Sequence, residues 1–183
     1  MTRSDCVVLV GPMGAGKTSI GRRVAKTLDV PFFDSDAAIV REHGPIEDIF
    51  ATRGEAAFRE LERQAVVAGL AAGGIVSLGG GAVLHPDTRR DLARHRVVLL
   101  TVAPRVVAYR IRGSRRPLLQ EDDPMQRWEA ILAERMPLYR EVSDATFDTS
   151  SGPLREVVDR IVAWIHGTDA STADDTPRMT EDA

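Results

Sequence analysis

Lys17 and Thr18 close a run, GPMGAGKT, in which Gly11, Gly16, Lys17 and Thr18 fit the spacing G-x-x-x-x-G-K-[ST]. Glycines at this spacing let backbone N–H groups close on an anion with no side chain in the way. The positive N-terminal end of a following helix points at the same place. A lysine then offers a point charge to β- and γ-phosphates, and the hydroxyl beside it can coordinate magnesium. The bare pattern arises by chance in about one chain of this length in a hundred. Here it also follows an apolar run, CVVLV, and precedes a good helix former, TSIGRRVAKTLD, the context the motif requires. The expected chemistry is nucleotide binding by Gly14, Ala15, Gly16, Lys17, Thr18 and Ser19. No N/T-K-x-D run, the mark of guanine specificity, is present, so the nucleotide expected is ATP.

Such a site also needs an acid near magnesium at the end of a hydrophobic strand, and VPFFDSD offers Asp34 and Asp36. Asp36 has a plainer reading as the N-cap of a helix beginning at Ala37. A helical pattern over 55–70 puts Phe58, Leu61, Ala65 and Val66 on one face, with Arg59 beside it. Glu55 and Glu62 lie in i−4 and i+3 reach, so an ordinary ion pair is one reading of Arg59 and a ligand contact the other. Gly79, Gly80 and Gly81 end an apolar strand and let a ligand approach closely. Arg135 falls near the end of a later helix that Pro137 is expected to interrupt. Arginines bind carboxylate or phosphate in a planar fork, and an aspartate accepts from hydroxyls. Arg59, Arg135, the glycine turn and Asp36 together would suit a small acid with several hydroxyls.

These residues need a scaffold, and short β-rich runs alternate with helical patterns along the chain. CVVLV, VPFFD, GIVSL, RVVLLTV and ATFDT are the strands, each followed by a helical stretch. The alternation predicts an α/β three-layer sandwich with a five-stranded parallel sheet and ligands at the carboxyl edge. Apolar runs without strict alternation are what doubly covered parallel strands look like. At 183 residues one domain, 1–166, is expected. With 24 Lys+Arg against 27 Asp+Glu, the net charge of -3 gives no footprint for nucleic acid. The single cysteine, Cys6, lies inside the first apolar run, which fits a buried thiol in a reducing compartment. No apolar run is long enough to span a bilayer, and MTRSD leads straight into the first strand, so the expectation is a cytoplasmic protein without membrane or nucleic-acid partners.

Two segments depart from the regular alternation. RGSRRPLLQEDDP, 112–124, is rich in charge, Gly and Pro and carries three arginines, which suits a mobile lid over a nucleotide site. The stretch 167–183 has five acidic residues and almost no large apolar side chains, and is expected to be a disordered acidic tail.

From about Val7 to Ile165 the chain resembles shikimate kinase. GPMGAGKTSIGRRVA, FFDSD, IEDIF, GEAAFRELE, SLGGGAV, RPLL and ERMPLYREV occur in that family's order and at its spacings. The resemblance implies the P-loop nucleoside-monophosphate-kinase-like fold and transfer of the ATP γ-phosphoryl group to the 3-hydroxyl of shikimate. It implies Lys17 on the phosphates, Thr18 on Mg2+, and Asp34 holding the metal through water. Asp36 becomes the acceptor ligand and base. Arg59 and Arg135, with Gly79, Gly80 and Gly81, hold the shikimate carboxylate. Arg116 of RPLL is the lid arginine on the transferring phosphate, while Arg110 and Pro153 contact adenine. The segment between Arg110 and Arg116 is a residue shorter than the family pattern, which leaves open whether Arg115 shares the lid role. The partners implied are ATP and shikimate, bound by a monomer.

Two other readings keep the phosphate loop. Another small-metabolite kinase, for gluconate or a nucleoside monophosphate, would need a different acceptor set from DSD, FRELE and GGG. A non-catalytic ATP sensor would show a broken catalytic set, whereas Lys17, Thr18, Asp34, Asp36 and Arg116 are all present.

Overall fold

The computed structural model describes residues 6–110 and 123–167. Five strands, β1 Val7–Val10, β2 Phe32–Asp34, β3 Ile75–Ser77, β4 Arg96–Thr101 and β5 Ala145–Asp148, form one sheet in the order β2-β3-β1-β4-β5. Every pairing is parallel, with Val7 opposite Ile75 on one side and Arg96 on the other. β1, β3 and β4 are the inner strands and are almost wholly buried, which is why they are apolar except for Ser77 and the two ends of β4, Arg96 and Thr101; the edge strands β2 and β5 are only partly covered.

The period of two along these strands sorts the core into two layers. Val7, Leu9, Val98 and Leu100 face helices α1 (Lys17–Leu28) and α7 (Leu154–Ile165), packing on Ile20, Val24, Val158 and Ile161. Val8, Val10, Val97 and Leu99 face the other way, toward Val66 of α3 (Ile46–Ala72) and the short α4 (Pro86–Leu92) at Leu92. The expected three-layer sandwich is therefore the fold. Among the described residues no helix is long and apolar enough to cross a membrane.

Three local features differ from the sequence expectation. Helix α2 (Ser35–His43) starts two residues before Ala37, because Asp34 and not Asp36 is its N-cap: the Asp34 side chain accepts from the Ala37 N–H at 3.0 Å. Helix α3 begins at Ile46 and is broken at Gly54 (φ 79), so the expected 55–70 helix is its second limb. Pro137 does not end its helix. α6 (Pro124–Val142) runs through it, held on its buried face by Trp128, Ile131, Arg135 and Tyr139. α5 is Pro104–Arg110. The lid, with Arg115 and Arg116, lies outside the described residues up to 122, and the tail lies outside them from 168.

Cys6 is fully buried, and burial pushes its thiol up to about 11. The thiol is expected to resist alkylation near pH 8 in the folded protein and to react at the rate of a free cysteine once urea unfolds the chain. Rapid labelling without denaturant would contradict its place in the core.

Candidate active site

The chain leaves β1 at its carboxyl end and turns through 11–16 before α1 begins, with Gly14 and Gly16 at φ 83 and 87. Both values lie in the left-handed region, which costs a residue with a Cβ about 1 kcal/mol or more. Lys17 Nζ reaches back across the loop to the carbonyls of Gly11 (2.7 Å) and Pro12 (3.0 Å). Thr18 Oγ1 donates to Asp34 Oδ2 at 2.7 Å. The hydroxyl and carboxylate expected on a metal thus come from the first turn of α1 and the end of β2 and meet at the sheet edge. β2 delivers Asp34 there, while the α2 cap holds its other oxygen.

The opposite wall is built from buried charge. Arg59 donates to Glu62 Oε2 at 2.6 Å and to Glu55 Oε1 at 2.8 Å, and its guanidinium lies 5.4 Å from the centre of the Phe58 ring. The ion-pair and ligand readings of Arg59 are therefore compatible, since the same guanidinium also lines the cavity. Glu62 is 3% exposed. Burial raises its carboxyl pKa, with Asp36 adding to the rise and Arg59 and Arg135 opposing it. Burial works against the Arg59 charge too, but Glu62 and Glu55 outweigh it and the net shift is upward. Arg135 is 5% exposed; it donates from Nη1 to the Gly80 carbonyl at 3.2 Å, and its buried Nε has no hydrogen-bond partner among the described residues. Tyr139 donates to the same carbonyl at 2.5 Å, and burial pushes its hydroxyl up to about 12.

The glycine turn makes this packing possible. A Cβ on Gly79 would lie 2.5 Å from Asp36 Oδ1 and 2.7 Å from Glu62 Oε1, and one on Gly81 would overlap the Arg59 guanidinium. A side chain at either place would push these charged groups out of the positions they hold. The Gly79 N–H, however, is spent on Ser35 Oγ at 2.8 Å, so Gly79 spaces the carboxylates and does not line the cavity; Gly80 and Gly81 do.

One cavity of about 610 Å³ joins the two halves. Gly14, Gly16, Lys17, Thr18, Ser19 and Asp34 line one end, and Asp36, Arg59, Gly80, Gly81 and Arg135 the other, with Arg110 also at the wall. Ala15 is buried beneath the loop and contributes backbone alone. Arg110 donates to the Gly14 carbonyl (2.8 Å) and the Thr149 carbonyl (3.1 Å), beside the phosphates' side of the cavity. Pro153 is exposed at the start of α7 and does not line the cavity. Arg116 lies outside the described residues. Sequence reasoning took Glu62 only as an ion-pair partner and missed Tyr139 and Ser35. Glu62 falls in the same helical phase as Phe58, Leu61 and Val66, and that buried phase was its available signal.

A parallel sheet with a phosphate loop at its switch point and an acceptor pocket beside it defines a P-loop kinase of the nucleoside-monophosphate-kinase-like fold. A gluconokinase from Sinorhizobium meliloti 1021, 21% identical with a TM-score of 0.60 over 91% of this chain and 94% of its own, shares that fold. The shikimate kinase family model matches residues 13–166, and the chain belongs to the shikimate kinase family. It is 46% identical to the shikimate kinase of Mycobacterium avium over 91% of this chain and 96% of that protein. It is 48% identical to the one from Halorhodospira halophila, over 88% and 93%. The structure of the Acinetobacter baumannii shikimate kinase in complex with shikimate superposes with a TM-score of 0.86 at 36% identity, covering 92% of this chain and 96% of that one.

Because the folded protein holds the Glu62 proton more tightly than the unfolded chain does, ionising Glu62 costs folding stability. That cost is absent below the ordinary glutamate value of about 4.3 and grows as pH rises toward the raised value of the folded state. Urea denaturation between about pH 4 and 8 should show the wild-type chain losing stability relative to Glu62→Gln as pH rises. A flat difference across that range would contradict the burial argument.

Proposed function

We propose that this protein transfers the γ-phosphoryl group of ATP to the 3-hydroxyl of shikimate, giving 3-phosphoshikimate and ADP, in the chorismate route to aromatic amino acids. The observation that carries the reading is the pairing, in one cavity, of a phosphate loop with two arginines, one of which has a buried Nε without a partner among the described residues. A buried donor without a partner costs about 1–3 kcal/mol, a cost that an acceptor's carboxylate at Arg135 would relieve. Arg59 and Arg135 then hold that carboxylate, and Asp36 takes the acceptor's hydroxyls.

The reaction is an in-line displacement. The 3-hydroxyl oxygen attacks the γ-phosphorus, the bond from that phosphorus to the β,γ-bridging oxygen breaks, and ADP leaves. Asp36 accepts the hydroxyl proton. Lys17 exchanges its loop carbonyls for phosphate oxygens and follows the charge that builds there. Arg110, beside the phosphate loop, and Pro153, at the start of α7, are the residues we assign to the adenine contacts.

Thr18 and Asp34 suit Mg2+. They present two hard oxygens 2.7 Å apart beside the loop, and magnesium takes few protein ligands, completing its shell with water and phosphate. The ion, bound with ATP, supplies neutralisation of charge on the β- and γ-phosphates. Arg116, from the lid, reaches the transferring phosphate, and closure excludes water. The enzyme works as a monomer in the cytoplasm on these small molecules, without nucleic-acid or membrane partners.

ADP release with ATP and magnesium, compared for shikimate, gluconate, AMP and no acceptor, tests the reading. Stimulation by shikimate alone is expected. ATP binding without stimulation by shikimate would leave the phosphate loop standing and overturn the acceptor assignment. Arg116→Ala is expected to lower turnover by roughly 10³-fold, within the range arginine fingers span. An unchanged turnover would remove Arg116 from the mechanism.

A further inference from the structure

The carbonyl side of the phosphate loop is held by the rest of the fold. Lys17 takes the carbonyls of Gly11 and Pro12. The indole N–H of Trp128, in α6, donates to the Met13 carbonyl at 3.0 Å. Arg110, in α5, takes the Gly14 carbonyl. Thr149, just beyond β5, lies 3.0 Å through Oγ1 from the Ala15 carbonyl. Each carbonyl from Gly11 to Ala15 thus meets a donor.

The Thr149 hydroxyl has one proton and two carbonyls in reach, Ala15 and Thr101, both at 3.0 Å. The Thr101 carbonyl already accepts from the Thr149 N–H at 2.9 Å, so donation from the hydroxyl to Ala15 gives each carbonyl one donor. Thr149 is 5% exposed and Trp128 1%, and neither lines the cavity. Trp128 acts through the peptide it holds; Thr149 does the same and also accepts from Arg110 Nη1 at 3.4 Å through its Oγ1.

That peptide is planar, and no cis peptide occurs among the described residues. In a trans peptide the C=O and the next N–H point to opposite sides. Fixing the Met13 carbonyl on the core side therefore turns the Gly14 N–H outward, and fixing the Ala15 carbonyl turns the Gly16 N–H outward. We infer that Trp128 and Thr149 are positioning residues for the nucleotide, aiming two amides of the phosphate cradle without touching the ligand. The inference rests on the phosphate loop being the nucleotide site, which ADP binding by the wild-type protein tests by itself.

The experiment compares Thr149→Val, Thr149→Ser and Trp128→Phe by ADP titration calorimetry and by steady-state KM for ATP and for shikimate. Thr149→Val keeps the shape and removes the donor; Trp128→Phe keeps an aromatic ring and removes the N–H. Each is expected to weaken ADP binding and raise the ATP KM by about tenfold, the worth of one buried hydrogen bond, with the shikimate KM within about twofold of wild type. Thr149→Ser should restore ADP affinity. A packing role alone would move both KM values together, or leave serine no better than valine, and either result would overturn the inference. So would wild-type ADP affinity in a folded Thr149→Val or Trp128→Phe. Should both variants fail to fold, Trp164→Phe decides, since it leaves Trp128 as the one tryptophan of the chain. A change in its emission on saturation with ADP supports the link to the loop, and unchanged emission refutes it.

Discussion

A row of backbone amides can cradle an anion only if the carbonyls of the same peptides have somewhere else to go. Left in a dry interior, each unpaired carbonyl costs about 1–3 kcal/mol, and in a loop free to rotate the amides would average their directions away. The fold answers this constraint from several directions. β1 delivers the loop at the centre of the sheet, where α5, α6 and the segment after β5 converge on it with donors. Parallel strands make that convergence possible, because all of them present their carboxyl ends to the same edge. The sheet's strand order is thus a requirement of the loop as much as of the hydrophobic core.

The acceptor half meets a harder constraint, the burial of ionised groups. Glu62 and Arg135 are almost completely removed from water, and a buried charge robbed of its partner costs about 3–5 kcal/mol. The cluster survives because charges of both signs are interleaved. Arg59 bridges Glu62 and Glu55, and Asp36 and Glu62 flank Gly79 without a Cβ between them. Two carboxylates so placed repel each other, which is one reason the Glu62 pKa rises. In the proposed function an acceptor with its own carboxylate between the arginines and its hydroxyls on Asp36 would meet charges already fixed, so little reorganisation would accompany binding.

How much of this could be read beforehand followed from where each interaction lies along the chain. The phosphate loop is contiguous, so its glycines, lysine and threonine announced themselves, and the five apolar runs gave the sheet. Asp34 and Asp36 were both picked out, yet their parts in capping α2 were exchanged, because two aspartates two residues apart look alike until a backbone N–H chooses one. Pro137 was expected to interrupt α6 because the rule is local; tertiary packing of Trp128, Ile131, Arg135 and Tyr139 overrides it. Trp128 and Thr149 were invisible in their functional sense. Their partners lie 115 and 134 residues away, and a tryptophan in an apolar phase looks like core, which it also is.

Charged residues in buried helical phases carry more information than the same residues elsewhere. Along α6 the residues Trp128, Ile131, Arg135 and Tyr139 follow the spacing i, i+3, i+7 and i+11, and Arg135 holds the position where an apolar side chain belongs. Along α3, Glu62 does the same among Phe58, Leu61 and Val66. Neither placement stabilises a helix by itself, and each costs desolvation, so each needs a compensating contact from another element. In α6 that arrangement has a mechanical result. Asp123 caps the helix at the base of the segment expected to be the lid, Trp128 holds the phosphate loop, Arg135 and Tyr139 hold the glycine turn, and all four belong to one rigid rod and its cap. From Trp128 to Arg135 is seven residues, about 10 Å of helix, so the separation between nucleotide and acceptor sites is set by a length the backbone fixes.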